Sequence, residues 1–432
     1  MKKTVVELRE YDVITSNLAA SKESGAVYLE KKSFSELENL ILTFNEGEQS
    51  DAIDFLTISS KKNVGKIIRA KNYVGVLELN NSVQVQILPK IHGGTKEDSK
   101  KTFLKMLKTL KDFPSKTFNV ATLNTAKLPI FEIFIRLYIQ EVQHLVKRGL
   151  KSSYYEVEDN LKVFKGRMNF SQQIKHNVVH KERFYVHYNE FGLNRPENRL
   201  IKSTLLKLIK ESENLENIKE LRRLLMSFEF VEPSQYIEKD FSQVNIDRNS
   251  KDYEIVINWS KVFLHNQSYT TFAGALVSKA LLFPMDRVFE SYVGRNLKRL
   301  IDPTEWTVSL QDRSYHLFKN QFALRPDMVL RNQVDNKTII IDTKWKLLKN
   351  RPNSNYGISQ ADMYQMYAYA KKYGTTEIWL MYPMNDEFEG NEKICFESDD
   401  GVKVRVFFVD CHHIQDSLNK FFIIEARFSK KN

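Results

Sequence analysis

Cysteine is nearly absent: Cys395 and Cys411 are the only two in 432 residues, and they form no CxxC pair. Neither a disulfide framework nor a thiolate zinc site is indicated, and a reducing cytoplasm is the default compartment. Glycine and proline are sparse, 15 and 10, too few for a collagen-like or low-complexity chain. Long apolar runs are missing as well. Stretches such as Ala280-Leu-Leu-Phe283 fall far short of the roughly 20 residues that span a bilayer. The N-terminal MKKTVVELREYD meets Glu7, Arg9, Glu10 and Asp12 where a signal peptide needs an apolar core. The expectation is a soluble, cytoplasmic protein that does not enter a membrane.

Positive charge is in excess: Lys+Arg 65 against Asp+Glu 54 gives a formal net charge of +11. That balance suits a polyanionic partner such as nucleic acid or an acidic membrane surface, although charge that only maintains solubility gives the same sum. At roughly 150 residues per domain the length implies two or three domains. A hydrophobic content of 42% supplies cores for them.

Changes in pattern, rather than linkers, mark three regions. Residues 1–115 read as β-rich. Val74–Leu79 and Val83–Ile87 flank Asn80-Asn81-Ser82, and Val83, Val85 and Ile87 alternate with Gln84 and Gln86 as in a half-buried hairpin arm. From Lys96 to Lys116 lysines interleave with Phe103, Leu104, Met106, Leu107 and Leu110, the pattern of an amphipathic helix with a basic outer face. Residues 116–268 read as a mixed helical middle region. It has a helix from Pro129 to near Gly149, strands at Lys162–Arg167 and Phe184–Tyr188, a helical pair over 196–228 and a helix at Tyr253–His265. In the helical pair, Leu215, Ile218, Leu221 and Leu225 form one stripe with the spacing of a core face. Residues 269–432 give a helix over Leu281–Leu300, strands at Phe322–Leu330 and Thr338–Lys344, a helix at Ser359–Tyr373, and strands at Glu377–Tyr382 and Val402–Val409. The fold class expected is α/β and α+β multidomain, with a mixed sheet in the last region.

That last region carries the chemistry. Asp327 follows Pro326, and Asp342 and Lys344 interrupt the apolar run Ile339–Trp345. Period-two alternation puts Asp342 and Lys344 on one face of the strand and Thr343 on the other. Charges at the end of a buried strand cost free energy unless they are paired, metal-bound or used. Fourteen residues separate Asp327 from Asp342, enough for a hairpin return that brings the carboxylates together. Mg²⁺, which prefers oxygen ligands, relieves their repulsion. It then polarises a phosphoryl oxygen and acidifies a bound water, with Lys344 placed to orient that water or stabilise the oxyanion. This is the PD…DxK arrangement of metal-dependent nucleases; the alternative is a surface hairpin with a salt bridge. Gln365 and Tyr369 share a helix face at i, i+4, Asp362 precedes Gln365 by three, and Glu290 offers a further carboxylate from an upstream helix. The cluster Lys344, Lys346, Lys349 and Arg351 suits a phosphate track, with ordinary solvation as the alternative. His412-His413 beside Cys411 lacks the spaced partners of a zinc site and reads as structural.

The segments Leu282-Phe-Pro-Met-Asp-Arg-Val-Phe-Glu-Ser-Tyr-Val293, Arg325-Pro-Asp327, Ile341-Asp-Thr-Lys-Trp-Lys346, Asp362-Met-Tyr-Gln-Met-Tyr-Ala-Tyr369 and Met381-Tyr-Pro383 resemble the McrC family in order and spacing. That family supplies the nuclease subunit of McrBC-type restriction systems. Asn72-Tyr-Val-Gly75, Ile87-Leu-Pro-Lys-Ile91, Phe164-Lys-Gly-Arg167, Tyr188-Asn-Glu190 and Asn198-Arg-Leu200 extend the likeness over most of the chain from about residue 55, whereas the first 50 residues do not match. The resemblance implies a C-terminal PD-(D/E)xK nuclease fold with a mixed central sheet. Its catalytic residues are Asp327, Asp342, Lys344, Glu290 and Gln365, with Mg²⁺ held by Asp327, Asp342 and Thr343, and with double-stranded DNA contacted by Lys346, Lys349 and Tyr369. It also implies a McrB-like AAA+ GTPase hexamer as partner, engaged through the N-terminal region. GTP would be bound by that partner, in keeping with the lack of a G-x-x-x-x-G-K-[ST] loop in this chain. Both 5-methylcytosine-directed systems and LlaJI-like systems that read unmethylated sequence fit the resemblance. A catalytically silent activator of the ring and a stand-alone nuclease are the alternative functions.

Overall fold

The hairpin of Tyr73–Glu78 and Val83–Leu88 is the centre of a four-stranded sheet. Its outer strands come from far along the chain: Thr4–Arg9 runs parallel to Val83–Leu88, and Lys279–Pro284 runs antiparallel to Tyr73–Glu78. Gln84 and Gln86, expected on a solvent face, are both buried. Gln86 is accommodated because its amide is satisfied: Nε2 donates to Glu7 at 2.6 Å and Oε1 accepts from the Ile130 N–H at 2.7 Å. Glu7 in turn pairs with Lys96 at 3.1 Å and Lys100 at 3.0 Å. These lysines belong to the helix Lys96–Leu107, which starts at a Thr95/Asp98 capping box. Lys100 is therefore an inward, paired lysine and not part of a basic outer face.

Leu281–Phe283, expected to open a helix, lie in the edge strand Lys279–Pro284, and the helix begins at Met285. Pro284 sits at the junction, where its fixed φ and missing N–H are tolerated. Gly75 lets this strand approach. Its φ is +142°, and a Cβ there would lie 1.9 Å from the carbonyl oxygen of Leu281. A smaller sheet, in the order Val27–Tyr28, Val13–Thr15, Gly65–Ala70, Leu56–Lys61, shares a core with the first through Ile14, Leu37, Ile68, Leu77 and Val85.

The C-terminal sheet has six strands in the order Trp306–Leu310, Met328–Asn332, Thr338–Thr343, Glu377–Pro383, Lys403–Val409, Cys395–Glu397. Its three central strands are parallel and the outer pairings antiparallel. Strands covered on both faces read as continuous apolar runs. The helix Gln360–Tyr373 covers one face, where Met366 and Tyr369 meet Ile340, Leu380 and Val406. The helices Met285–Leu300 and Ile414–Ser429 cover the other, placing Phe289 against Trp345 and Phe421 against Trp379 and Phe407. The strand expected over 322–330 begins at Met328, and Gln321–Ala323 pairs instead with His316–Phe318 in a separate hairpin.

The structure, a computed structural model, describes residues 4–45, 56–79, 83–110, 113, 128–248, 250–265, 279–388 and 393–429. Two units result, one drawn from 3–130 and 268–432 and the other from 131–267. In the second, Ser153–Leu161 pairs with Phe184–Gly192 along nine residues. The strand expected at Lys162–Arg167 is displaced to this earlier position because the chain turns there: Gly166 has φ +73°, and a Cβ on it would meet the carbonyl oxygen of His187. Helices follow at Pro196–Glu211, Leu215–Met226, Ile237–Gln243 and Tyr253–His265. Leu215, expected in the core, is exposed, and the buried line of its helix is Asn217, Leu221 and Leu224. Buried Glu132 explains the rotation, since it accepts hydrogen bonds from Asn217 Nδ2 and the Ser212 hydroxyl, both at 2.7 Å. No described helix is long and apolar enough to cross a membrane.

Gly75→Ala should destabilise the chain by more than about 1 kcal/mol, because both the backbone angle and the space forbid a side chain there. Urea unfolding measures this, and an unchanged midpoint would show that the strand Lys279–Pro284 is not held this close.

Candidate active site

The antiparallel register pairs Met328 with Ile341 and Val329 with Ile340. One step further along it, where the ladder ends, Asp327 stands opposite Asp342. The Thr343 N–H and hydroxyl both donate to Asp327 Oδ2, at 2.7 and 2.6 Å. The side chain of Thr343, expected among the metal-holding residues, is thus engaged in fixing Asp327. Alternation returns Asp342 and Lys344 to one face, and Lys344 Nζ lies 2.7 Å from Asp342 Oδ2. The same ammonium is 3.3 Å from Gln365 Oε1 and 3.9 Å from Asp362 Oδ1, both on the helix Gln360–Tyr373. Gln365 Nε2 donates to the Tyr369 hydroxyl at 2.8 Å. Tyr369, expected to contact DNA, is only 2% exposed. Its ring is in the core because the i, i+4 face it shares with Gln365 points at the sheet, and its hydroxyl holds Gln365 in place. Glu290, from the helix Met285–Leu300, accepts a hydrogen bond from Gln311 Nε2.

The electrostatics of this corner are those of carboxylates short of water. Burial, and then the neighbouring charge of Asp327, push Asp342 up to about 7 against the opposing pull of Lys344. Burial raises Asp327 despite the donors of Thr343. Burial and Asp327 likewise raise Glu290 to about 7. For Lys344 burial works against the charge, but Asp342, Asp362 and Asp327 outweigh it and hold the ammonium protonated. Acidic charge therefore exceeds what Lys344 neutralises, and a bound cation would relieve the difference. Among the described residues no three His, Cys, Asp or Glu side chains close around a metal on their own. Mg²⁺ asks for less, one or two carboxylates with several retained waters, and Asp327 with Asp342 fit that demand.

Lys346 and Lys349 are exposed, but Lys346 Nζ donates to the Gly357 carbonyl at 2.5 Å and is tied to its own loop. Three residues at the site went unnoticed in the sequence. Gln311 adopts φ +53°, donates its N–H to the Asp327 carbonyl at 2.8 Å and its side chain to Glu290. A single glutamine after a strand carries no signal for this. Asp286, in the first turn of the Glu290 helix, is raised by burial and hydrogen-bonded by Asn72. Glu10 is fully buried, both carboxylate oxygens lie 3.0 Å from Trp345 Nε1, and Oε2 accepts the Lys90 N–H at 3.1 Å. Its one sequence signal, a charge where a signal peptide would be apolar, pointed elsewhere. His412 Nδ1 lies 2.7 Å from the Thr102 hydroxyl, and the Cys411 carbonyl accepts from the Tyr292 hydroxyl at 3.2 Å.

The fold and site define a class: a mixed α/β multidomain protein with a buried and a half-buried aspartate and a lysine at the end of a mixed sheet. The family model for "McrBC 5-methylcytosine restriction system component" matches residues 68–383, and the chain belongs to that family. The chain is similar to the "Type IV methyl-directed restriction enzyme EcoKMcrBC" of Escherichia coli (strain K12), at 23% identity over 277 residues, 61% of this chain and 76% of that protein. In fold it is similar to a chain of the refined half-complex from the tetradecameric assembly of Thermococcus gammatolerans McrB AAA+ hexamers with bound McrC. The TM-score is 0.66 at 21% identity, over 97% of this chain and 100% of that one.

Burial first, with Asp286 adding to it against the donors of Lys90 and Trp345, raises Glu10 from 4.5 to about 8. The folded chain thus holds this proton more tightly than the unfolded one. The contribution is fully present below pH 4.5 and is lost as the pH rises toward 8. Glu10→Gln should flatten the fall in urea midpoint between pH 5 and pH 8; a slope identical to wild type would place the linkage elsewhere.

Proposed function

We propose that this chain is the DNA endonuclease subunit of a GTP-dependent McrBC-type restriction system. It hydrolyses phosphodiester bonds with Mg²⁺ and stimulates the GTPase of a McrB-like AAA+ hexamer. The observation that carries the reading is the junction of Asp327, Asp342 and Lys344 at one strand end, a PD-(D/E)xK constellation with Gln365 from the next helix. Asp327 and Asp342 would hold Mg²⁺, which when bound would supply Lewis-acid polarisation of the scissile phosphate and a more acidic water. Lys344, kept cationic by its acidic neighbours, orients the attacking water and stabilises the negative charge that grows on the phosphoryl oxygens. Gln365 and Tyr369 fix the ammonium's direction. Glu290 is an accessory carboxylate that accepts a proton near neutral pH. The partner assignment rests on family membership together with the McrB-bound relative of the same fold. In this reading residues 1–115 dock on the ring, which binds the GTP, and the whole works on double-stranded DNA in the cytoplasm.

Asp342→Ala and Lys344→Ala should each lower cleavage about 100-fold or more in the presence of partner, GTP and Mg²⁺, while stimulation of the partner's GTPase persists. Wild-type cleavage in both would remove the assignment. Unaltered GTPase stimulation by a wild-type chain that never nicks DNA would leave the silent activator, and cutting without partner or GTP would leave a stand-alone nuclease.

Asp342, raised to about 7, must give up its proton to bind a cation. Mg²⁺ affinity measured by calorimetry should therefore fall as the pH drops from 8 to 6, with proton release visible as a dependence on buffer ionisation heat. An affinity flat over that range would show the carboxylates already ionised.

A further inference from the structure

Between Gln311 and Asp327 the chain leaves the site and returns to it, its ends joined by the hydrogen bond from the Gln311 N–H to the Asp327 carbonyl. The excursion is a short hairpin in which His316 pairs with Ala323 and Phe318 with Gln321. Its base is anchored. Tyr315 packs on Tyr373 with ring centroids 4.5 Å apart, the Leu324 N–H donates to the Tyr315 carbonyl at 2.9 Å, and Tyr373 donates to Asp312 at 2.9 Å. Its tip is not. Phe318 and Phe322 are 62% and 70% exposed, edge to face with centroids 5.8 Å apart.

Two costs are therefore accepted at one place. Burying a phenyl ring is favourable, yet both rings stay in water. Phe322 also has φ +57°, a conformation that an aromatic residue rarely adopts. Arg313, Lys319 and Arg325 lie on the same excursion, before, between and after the two rings in sequence, and are exposed; among the described residues Arg313 and Lys319 form no ion pair. Aromatic wedges flanked by cations, on a rigid base beside phosphate chemistry, match the demands of a nucleic-acid groove.

We propose that the hairpin 316–323 is a wedge that enters a groove of the duplex next to the scissile phosphate. Phe318 and Phe322 unstack a base step, and Arg313, Lys319 and Arg325 rest on the flanking phosphates. The inference depends on the reading of the site as a DNA phosphodiester hydrolase.

The test uses the full chain with its AAA+ partner, GTP and a duplex carrying 2-aminopurine at the cleavage position mapped with the wild type. Fluorescence is read in the uncutting Asp342→Ala background, and cleavage in the active one. The intact hairpin should raise the 2-aminopurine signal on binding. Phe318→Ser with Phe322→Ser should abolish that rise and slow cleavage about tenfold per ring. Phe322→Gly should show the same direction while keeping or raising the melting temperature, since it relieves the backbone, so a loss of signal cannot be charged to misfolding. Arg313→Ala and Lys319→Ala should each reduce the slope of log affinity against log salt by about one. A full fluorescence rise and wild-type cleavage in the double serine variant overturn the wedge alone. So does a serine variant that shifts the chain's sedimentation without DNA, which would make the rings a contact between two copies. A wild type that neither binds nor cuts DNA overturns the underlying function instead.

Discussion

The desolvation of two opposed aspartates is the constraint around which the C-terminal part is built. Burial and the charge of Asp327 raise Asp342 even though the Lys344 ammonium lies 2.7 Å away, so the ionised form is costly after the lysine has made its contribution. Asp327 and Asp362 share the same ammonium and keep it from neutralising Asp342 fully. The arrangement is a poor salt bridge, with more carboxylate than one ammonium neutralises. A hairpin selected only for stability would have no reason to gather a second and third carboxylate around the first.

Everything nearby serves to keep those charges from relaxing away. Thr343 uses its N–H and its hydroxyl on Asp327, so the strand that carries one aspartate also fixes the other. Tyr369, buried, orients Gln365, which lies within reach of Lys344. On the opposite face of the same strand end Trp345 packs on Phe289 and donates to buried Glu10. Lys344 and Trp345 are neighbours on opposite faces, so the anchoring of one limits the movement of the other.

How much of this could be read in the sequence depended on range. Local periodicity located the helix over Ser359–Tyr373, the strands around Ile340 and Leu380, and hence the Asp327, Asp342, Lys344 and Gln365 grouping. Those residues lie within one hairpin and the next helix, and alternation alone orients them. Pairings between distant segments left no local trace. Gln84 and Gln86 looked solvent-facing because nothing in their own strand announces that Thr4–Arg9 will lie alongside. Leu281–Phe283 looked helical because a short apolar run has no period of its own, and only Gly75, about two hundred residues earlier, makes room for it as a strand. The outward turn of Leu215 came from a buried glutamate on another helix, which no stripe count detects.

The same long-range pairing explains why Asn72-Tyr-Val-Gly75 belongs with the chemistry although it lies far from it in sequence. Gly75 admits the strand Lys279–Pro284, and that strand runs without a break into the helix bearing Asp286 and Glu290. Asn72 closes the junction. Its carbonyl accepts the Met285 N–H at 2.9 Å, its side chain hydrogen-bonds Asp286, and its Oδ1 also accepts from the Tyr11 hydroxyl at 2.8 Å. The direction in which the Glu290 helix leaves the sheet is therefore set by the N-terminal hairpin, and with it the distance from Glu290 to the aspartate pair. This short segment is the seat of the acidic helix. The N-terminal sheet is accordingly part of the frame of the site.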